Sequence, residues 1–231
     1  MTKQNLIMGL LTGLLGLFGC NNKAPDKTSQ EDTSKVVTIN PNDILFTTST
    51  LNNALPDFKE KTDSCAFFHE DEWRQVEFIS KDQKSSIDKE FVKIQDIYDN
   101  YSHDGGTYMG FKKVAVRDLI TQPLSVDFSK LKSYLTDKDI KILGLGLENN
   151  EGQVKDGFFF AVNGVNYYGL LDNNTVKTFC IYSADGDKEL KTATNNLSTF
   201  LATEKLYLVD WRARKAFDEI TIKTELIKDE K

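Results

Sequence analysis

The stretch 158–182 constrains the fold of this chain more than any other. Phe158, Phe160 and Val162 alternate with Phe159 and Ala161, and Asn163-Gly164 follows. Val165, Tyr167, Gly169 and Leu171 resume the alternation, Asp172-Asn173-Asn174 interrupts it, and Val176, Thr178, Cys180 and Tyr182 continue it. A period of two places alternate side chains on one face of a strand, and Asn-Gly between two such runs is the strongest short hairpin signal. The stretch therefore predicts three antiparallel strands in series. Further strands are expected at 74–80, 111–117, 140–147, 206–211 and 220–227, with a turn near 212–215.

Three segments carry the helical period instead. In 86–101, Ile87, Phe91, Ile94, Tyr98 and Tyr101 follow one another at steps of four, three, four and three, which is one apolar stripe. Ser85 with Asp88 three residues on resembles a capping pair, and Gly105-Gly106 ends the pattern. A shorter helix is expected at 128–136 through Phe128, Leu131 and Leu135. A third is expected at 188–203, with Leu190, Ala193, Leu197 and Phe200 inward and Asp187 as its cap. Together these elements predict an α+β fold: a mainly antiparallel sheet of about six to eight strands with about three helices packed on one face.

The length of 231 residues suits one domain or two small ones. Fifteen Phe residues are too many for a disordered chain. With 29 Lys and Arg against 35 Asp and Glu the net charge is −6, which argues against nucleic acid as the main partner, because phosphate binding needs a basic surface.

The first twenty residues differ from the rest. Lys3 precedes an uncharged apolar run from Leu6 to Gly19, shorter than the ~20 residues a spanning helix needs. A basic start, a short apolar run and a small-residue end fit a cleavable export signal. The run closes on Leu17-Phe18-Gly19-Cys20, which resembles the lipobox of bacterial lipoproteins, with Phe18 where the family usually has a small residue. The resemblance implies that residues 1–19 are a signal peptide, that Cys20 is lipidated and begins the mature chain, and that the protein is held in the cell envelope by its lipid. Asn21 stands where an inner-membrane retention signal has Asp, which favours the outer membrane. The other reading of the motif is an ordinary signal peptide with an accidental Cys. Removing residues 1–19 takes away Lys3 alone and leaves 28 basic against 35 acidic side chains, or −7. Residues 20–40 carry the lipidated Cys and a polar tether almost without apolar residues, and 41–231 form a single domain.

The exported compartment permits a disulfide between Cys65 and Cys180; two buried, inert thiols is the competing reading. No motif calls for a cofactor or a metal. His69-Glu70-Asp71-Glu72-Trp73 lacks the second His of a helical zinc site, although His69 and His103 could converge on a metal with an acidic residue. Ser102-His103-Asp104 sets three triad residue types side by side, but triads converge from separate segments, so 99–106 is expected to be a loop. Gly144 and Gly146 lack the rest of a phosphate loop and instead predict a helix or backbone lying close to one strand face. Asp185-x-Asp187-x-Glu189 starts like a calcium loop but lacks its glycine and distal glutamate; a turn and helix cap fits better.

Trp211-Arg212-Ala213-Arg214-Lys215 is the one locally basic cluster. Tryptophan beside arginine suits a contact surface, and an ordinary charged hairpin turn is the alternative. The expectation is a non-catalytic, lipid-anchored domain that binds a protein through Trp211, Arg212 and Arg214, with the acidic mature chain favouring a basic partner. Lipobox, size, acidity and missing catalytic motifs are similar to the periplasmic immunity lipoproteins that neutralise toxins delivered by competing bacteria. That similarity transfers no site residue. Two rival readings remain open: a hydrophobic-ligand carrier built on the aromatics of 158–168, and an envelope hydrolase whose carboxylates come from distant segments.

Overall fold

The computed structural model describes residues 45–61, 64–104, 109–118, 123–136, 139–182 and 187–225. The signal peptide, Cys20 and the tether of the sequence reading lie outside them, as does the start of the Asp185 loop. In chain order the strands are β1 (Thr50–Asn52), β2 (Phe58–Lys59), β3 (Cys65–Phe68), β4 (Val76–Ser80), β5 (Ser102–Asp104), β6 (Met109–Phe111), β7 (Ala115–Arg117), β8 (Val126–Asp127), β9 (Gly144–Leu147) and β10 (Gln153–Val154). They continue with β11 (Gly157–Val162), β12 (Val165–Asp172), β13 (Thr175–Tyr182), β14 (Leu206–Asp210) and β15 (Lys215–Phe217). The helices are α1 (Lys84–Tyr101), α2 (Phe128–Leu135), α3 (Asp187–Glu204) and α4 (Thr221–Glu225). The fold is α+β, as the sequence predicts.

The predicted meander is the framework. β11, β12 and β13 pair antiparallel in series. Their first turn closes on Val162 opposite Val165, with Asn163 and Gly164 both at positive φ, 52° and 87°. That is the conformation a two-residue hairpin matching the sheet's twist requires. The sheet then continues in an order that the sequence does not show. β4, far upstream, sits between β13 and β14, with Glu77 opposite Cys180 on one side and Val209 on the other. β15 closes the far edge and β8 pairs with the start of β13, making seven strands with every pairing antiparallel. Four short strands, β2, β10, β9 and β3, form a second sheet in which β3 and β9 run parallel.

One face of the large sheet packs against α2 and α3. Phe78, Phe158, Phe160, Tyr167 and Phe179 meet Leu131, Leu197 and Phe200 there. The rings fill this layer: Phe78 stacks on Phe179 at 4.6 Å between centroids, and Phe200 meets Phe179 edge-on at 5.8 Å. α1 departs from the expectation of helices on one face. Its Ile87, Ile94 and Ile97 pack with Ile79, Val209 and Trp211, the neighbours of Phe78 and Leu208 that alternation turns to the opposite face. The small sheet covers the rest of that opposite face through Phe68, Leu145 and Leu147 against Tyr168 and Cys180.

Several local expectations change. The strand expected at 111–117 is two short strands, β6 and β7, in separate pairings. The loop expected at 99–106 carries the end of α1 and then β5. Ser80, not Ser85, caps the turn that leads into α1, accepting from the Asp82 amide, while Asp88 pairs with Lys84. Where a strand was expected at 220–227, the described residues Thr221–Glu225 form α4, and 226–227 lie outside the described residues. Asp218 Oδ1 accepts from the Ile220 and Thr221 amides and starts a helix that buries Ile222 and leaves Ile220 exposed. Gly144 and Gly146 face neither helix nor backbone. A Cβ on them would meet Gln153 Nε2 at 2.4 Å and the Phe67 ring at 2.2 Å, so the glycines let those two side chains lie flat on the sheet. Among the described residues no helix is long and apolar enough to cross a membrane.

Two outcomes test this architecture. At Gly169 an added Cβ would stand 2.0 Å from the Thr178 carbonyl oxygen. Gly169→Ala is therefore expected to lower the unfolding free energy by about 1–3 kcal/mol in urea titration. Asp127 caps α2, accepting from the Ser129 hydroxyl and from the Ser129 and Lys130 amides, and these bonds hold its carboxyl below its ordinary pKa of 3.8. A depressed folded pKa contributes stability above the unfolded value that is lost as pH falls through the folded one. Asp127→Ala should therefore lower the urea midpoint at pH 7, and the deficit should close as pH falls below 3.8.

Candidate functional site

The residues of most chemical interest gather where α1 and the small sheet meet on the face opposite the aromatic core. In β4, alternation sends Phe78 to the core and Glu77 to this face, where it is 2% exposed. Glu77 Oε2 accepts from Arg74 Nε at 2.7 Å, and Oε1 accepts from Trp211 Nε1 at 2.8 Å. Arg117, at the end of β7, is fully buried beside them. Its Nη2 donates to the Arg74 carbonyl at 2.8 Å and its Nη1 to Thr50 Oγ1 at 3.1 Å, while its guanidinium lies 5.0 Å from the Trp211 ring. The Tyr168 hydroxyl accepts from the Arg74 amide at 2.7 Å and donates to the Glu72 carbonyl at 3.0 Å.

This cluster holds two guanidiniums against one carboxylate. Burial pulls the Arg117 pKa down to about 10, with Glu77 opposing and Arg74 adding to the fall, so the group is cationic at neutral pH. For Arg74 burial is again the strongest influence and lowers the pKa, yet the raising influences of its neighbours, Glu77 first among them, together outweigh it. Burial, and after it Glu77, pushes the Cys180 thiol far up, so Cys180 is a protonated core residue and not a nucleophile. Glu77 thus takes one donor on each oxygen, and the cluster ties β4, β7 and β14 to one another.

What it positions is the basic turn. Trp211, expected as a contact residue, is 0% exposed and is the turn's buried anchor, with its amide also donating to the Gln75 carbonyl at 3.0 Å. Arg212 and Arg214 remain at the surface. Arg212 makes a two-pronged pair with Glu72, at 2.7 and 2.9 Å, from a side chain that is 40% exposed. The Arg214 guanidinium lies 3.8 Å from the Tyr98 ring centroid, and its Nη1 donates to the Arg212 carbonyl at 2.9 Å. The Tyr98 hydroxyl donates to the same carbonyl at 3.2 Å and ties the turn to α1.

The remaining residues singled out by the sequence stay apart. Cys65 and Cys180 are not bonded to each other: Cys65 lies in the small sheet beside Gly144, whereas Cys180 lies in the large sheet opposite Glu77. His69 Nδ1 accepts from the Asp71 amide at 3.2 Å and caps the turn Glu70–Glu72, and His103 is exposed on β5. Alternation along β5 turns His103 away from Ser102 and Asp104, and Ser102 Oγ donates to the Tyr98 carbonyl at 2.6 Å, so the three adjacent residues do not assemble. Among the described residues no group of three or more His, Cys, Asp or Glu is placed to hold a metal ion. Phe158, Phe160 and Tyr167 pack ring against ring with Phe179.

Arg74, Glu77 and Arg117 were not singled out from the sequence, and Tyr168 was considered only as one of the aromatics of 158–168. The available signal was a charged residue inside an apolar strand, Glu77 in Val-Glu-Phe-Ile, and a Trp whose indole nitrogen needs an acceptor once buried. Compared with known proteins, the chain matches no family model, no curated protein and no solved structure.

Glu77→Gln leaves buried Arg117 and half-buried Arg74 without their counter-charge and is expected to cost about 3–5 kcal/mol. Arg117→Met keeps the Glu77–Arg74 pair and should cost clearly less. Urea unfolding of both variants checks the order.

Proposed function

We propose that this protein is a lipid-anchored component of a bacterial cell envelope, placed at the outer membrane, whose domain binds another protein without catalysing a reaction. Its role is that of an immunity protein which neutralises a toxin. The lipobox residues Leu17-Phe18-Gly19-Cys20 after a short apolar run support the anchoring. A domain held to a surface by two or more acyl chains stays there, because each buried CH₂ contributes ~0.8 kcal/mol.

The observation that carries the binding reading is the turn after β14. Its two arginines are fixed at the surface by Glu72 and Tyr98, while Trp211 locks the turn from below. Rigid arginine side chains lose little freedom on contact, which suits recognition. The saturated Glu77 and the protonated Cys180 offer no general base or nucleophile in the buried cluster, which favours binding over hydrolysis at that place.

Labelled palmitate is expected to enter the wild-type chain and not Cys20→Ala, with the wild type in the membrane fraction and Cys20→Ala released from it. Equal labelling of the two chains would overturn the anchor. The binding reading predicts co-purification with the product of an adjoining gene and protection from its toxicity; neither appearing for any neighbour would count against it.

A further inference from the structure

We propose that the corner formed by Tyr98, Tyr101, Lys112, Lys113 and Arg214 is a docking surface for an acidic segment of a protein partner. The inference rests on the protein-binding reading above and adds the surface and its chemistry.

Three segments converge there. Tyr98 and Tyr101 stand one turn apart on the last stretch of α1. The Lys112 amide donates to the Tyr101 carbonyl at 2.8 Å, which holds the link between β6 and β7 against the end of that helix. Lys113 Nζ then lies 4.0 Å from the Tyr101 ring centroid, as Arg214 lies 3.8 Å from that of Tyr98. Two cations are thus laid over two neighbouring rings. An aromatic face attracts a cation and holds it in place, so their charged heads are ordered before any partner arrives and less freedom is lost on binding.

Arg214 carries a second sign of constraint. Its φ is 54°, in the left-handed region that Gly or Asn adopts more easily. At this position the Arg side chain lays its guanidinium on the Tyr98 ring.

The local charge opposes that of the whole chain. Among the described residues Lys112, Lys113 and Arg214 take part in no ion pair, while neighbouring Arg212 is occupied by Glu72. Of the acids on adjoining segments, Asp99 accepts from Gln95, Asp210 accepts from the Ala213 amide, and Glu225 pairs with Lys215. The chain's net charge of −6 favours a basic partner at long range. At contact, charges beyond a Debye length of about 8 Å are screened and the corner's own cations decide. Lys112 and Lys113 are exposed and Arg214 is half-buried, so all three are accessible.

A protein segment fits better than a lipid surface. Interfacial binding needs apolar side chains free to enter the acyl boundary, whereas the rings here lie beneath the cations and neither Tyr98 nor Tyr101 is among the exposed large hydrophobics. Carboxylates match both the guanidinium fork and the ammonium groups.

The test is fluorescence anisotropy of the full chain with a labelled hexaglutamate peptide, beside sedimentation with phosphatidylglycerol vesicles. The expected result is salt-sensitive peptide binding, weakened at least tenfold in Lys113→Gln/Arg214→Gln and unchanged in Lys59→Gln/Lys61→Gln. Tyr101→Leu keeps every charge and should weaken binding two- to threefold by releasing Lys113. Circular dichroism spectra unchanged from wild type qualify each variant. Absence of peptide binding, equal binding by the Lys113/Arg214 variant, or vesicle binding that outcompetes the peptide overturns the proposal. If a toxin neighbour co-purifies equally with that variant, the corner is excluded while the protein-binding reading stands.

Discussion

The opposite face of the sheet depends on one buried carboxylate. Glu77 sits between Arg74 and Trp211, with Arg117 close behind, and each of these comes from a different part of the chain. A buried ion pair recovers its desolvation penalty only when its geometry is good and its remaining polar atoms are satisfied. Glu77 meets that condition by taking a strong donor on each oxygen. Arg117 meets it less fully, since its Nε has no hydrogen-bond partner among the described residues. Replacing such a cluster by apolar residues of equal volume is often neutral or stabilising, so what it contributes here is the way its hydrogen bonds join segments of β4, β7 and β14.

That arrangement reaches the surface through short covalent paths. Trp211 is held by its indole nitrogen and its amide, so the next three residues leave the sheet in a defined direction. Arg212 then finds Glu72 and Arg214 finds Tyr98. Thr50, near the start of the described chain, is tied into the same cluster through Arg117 and through the Gln75 side chain. β1 is therefore fastened mainly by polar contacts: Thr48, Ser49, Thr50 and Asn52 are all buried, while Leu51 is only half-buried.

The elements legible in the sequence were those whose signal is local. The meander, the Asn163-Gly164 hairpin and the stripe of α1 each follow from spacing within about twenty residues. The segment 220–227 misled because Ile220 and Ile222 alternate as in a strand, while the Asp218 cap, which decides for a helix, is a hydrogen-bonding fact. The two glycines of β9 correctly signalled a close approach. What approaches comes from β3 and β10, and no spacing rule identifies it. Trp211 was drawn to the surface by its basic neighbours, and only the buried acceptor at Glu77 explains why it turns inward.

The sequence by itself determined the α+β class, the central hairpins, the amphipathic helices and an amino terminus resembling a lipoprotein signal, because each is written in the period or order of adjacent side chains. Only the tertiary structure decided that β4 enters between β13 and β14, that α1 and the small sheet share the face opposite the aromatic core, and that Arg74, Glu77, Arg117 and Trp211 meet. Pairing partners distant in the chain are chosen by the free energy of the whole assembly, through burial of large apolar surfaces and satisfaction of buried charge. No short window of residues carries that information.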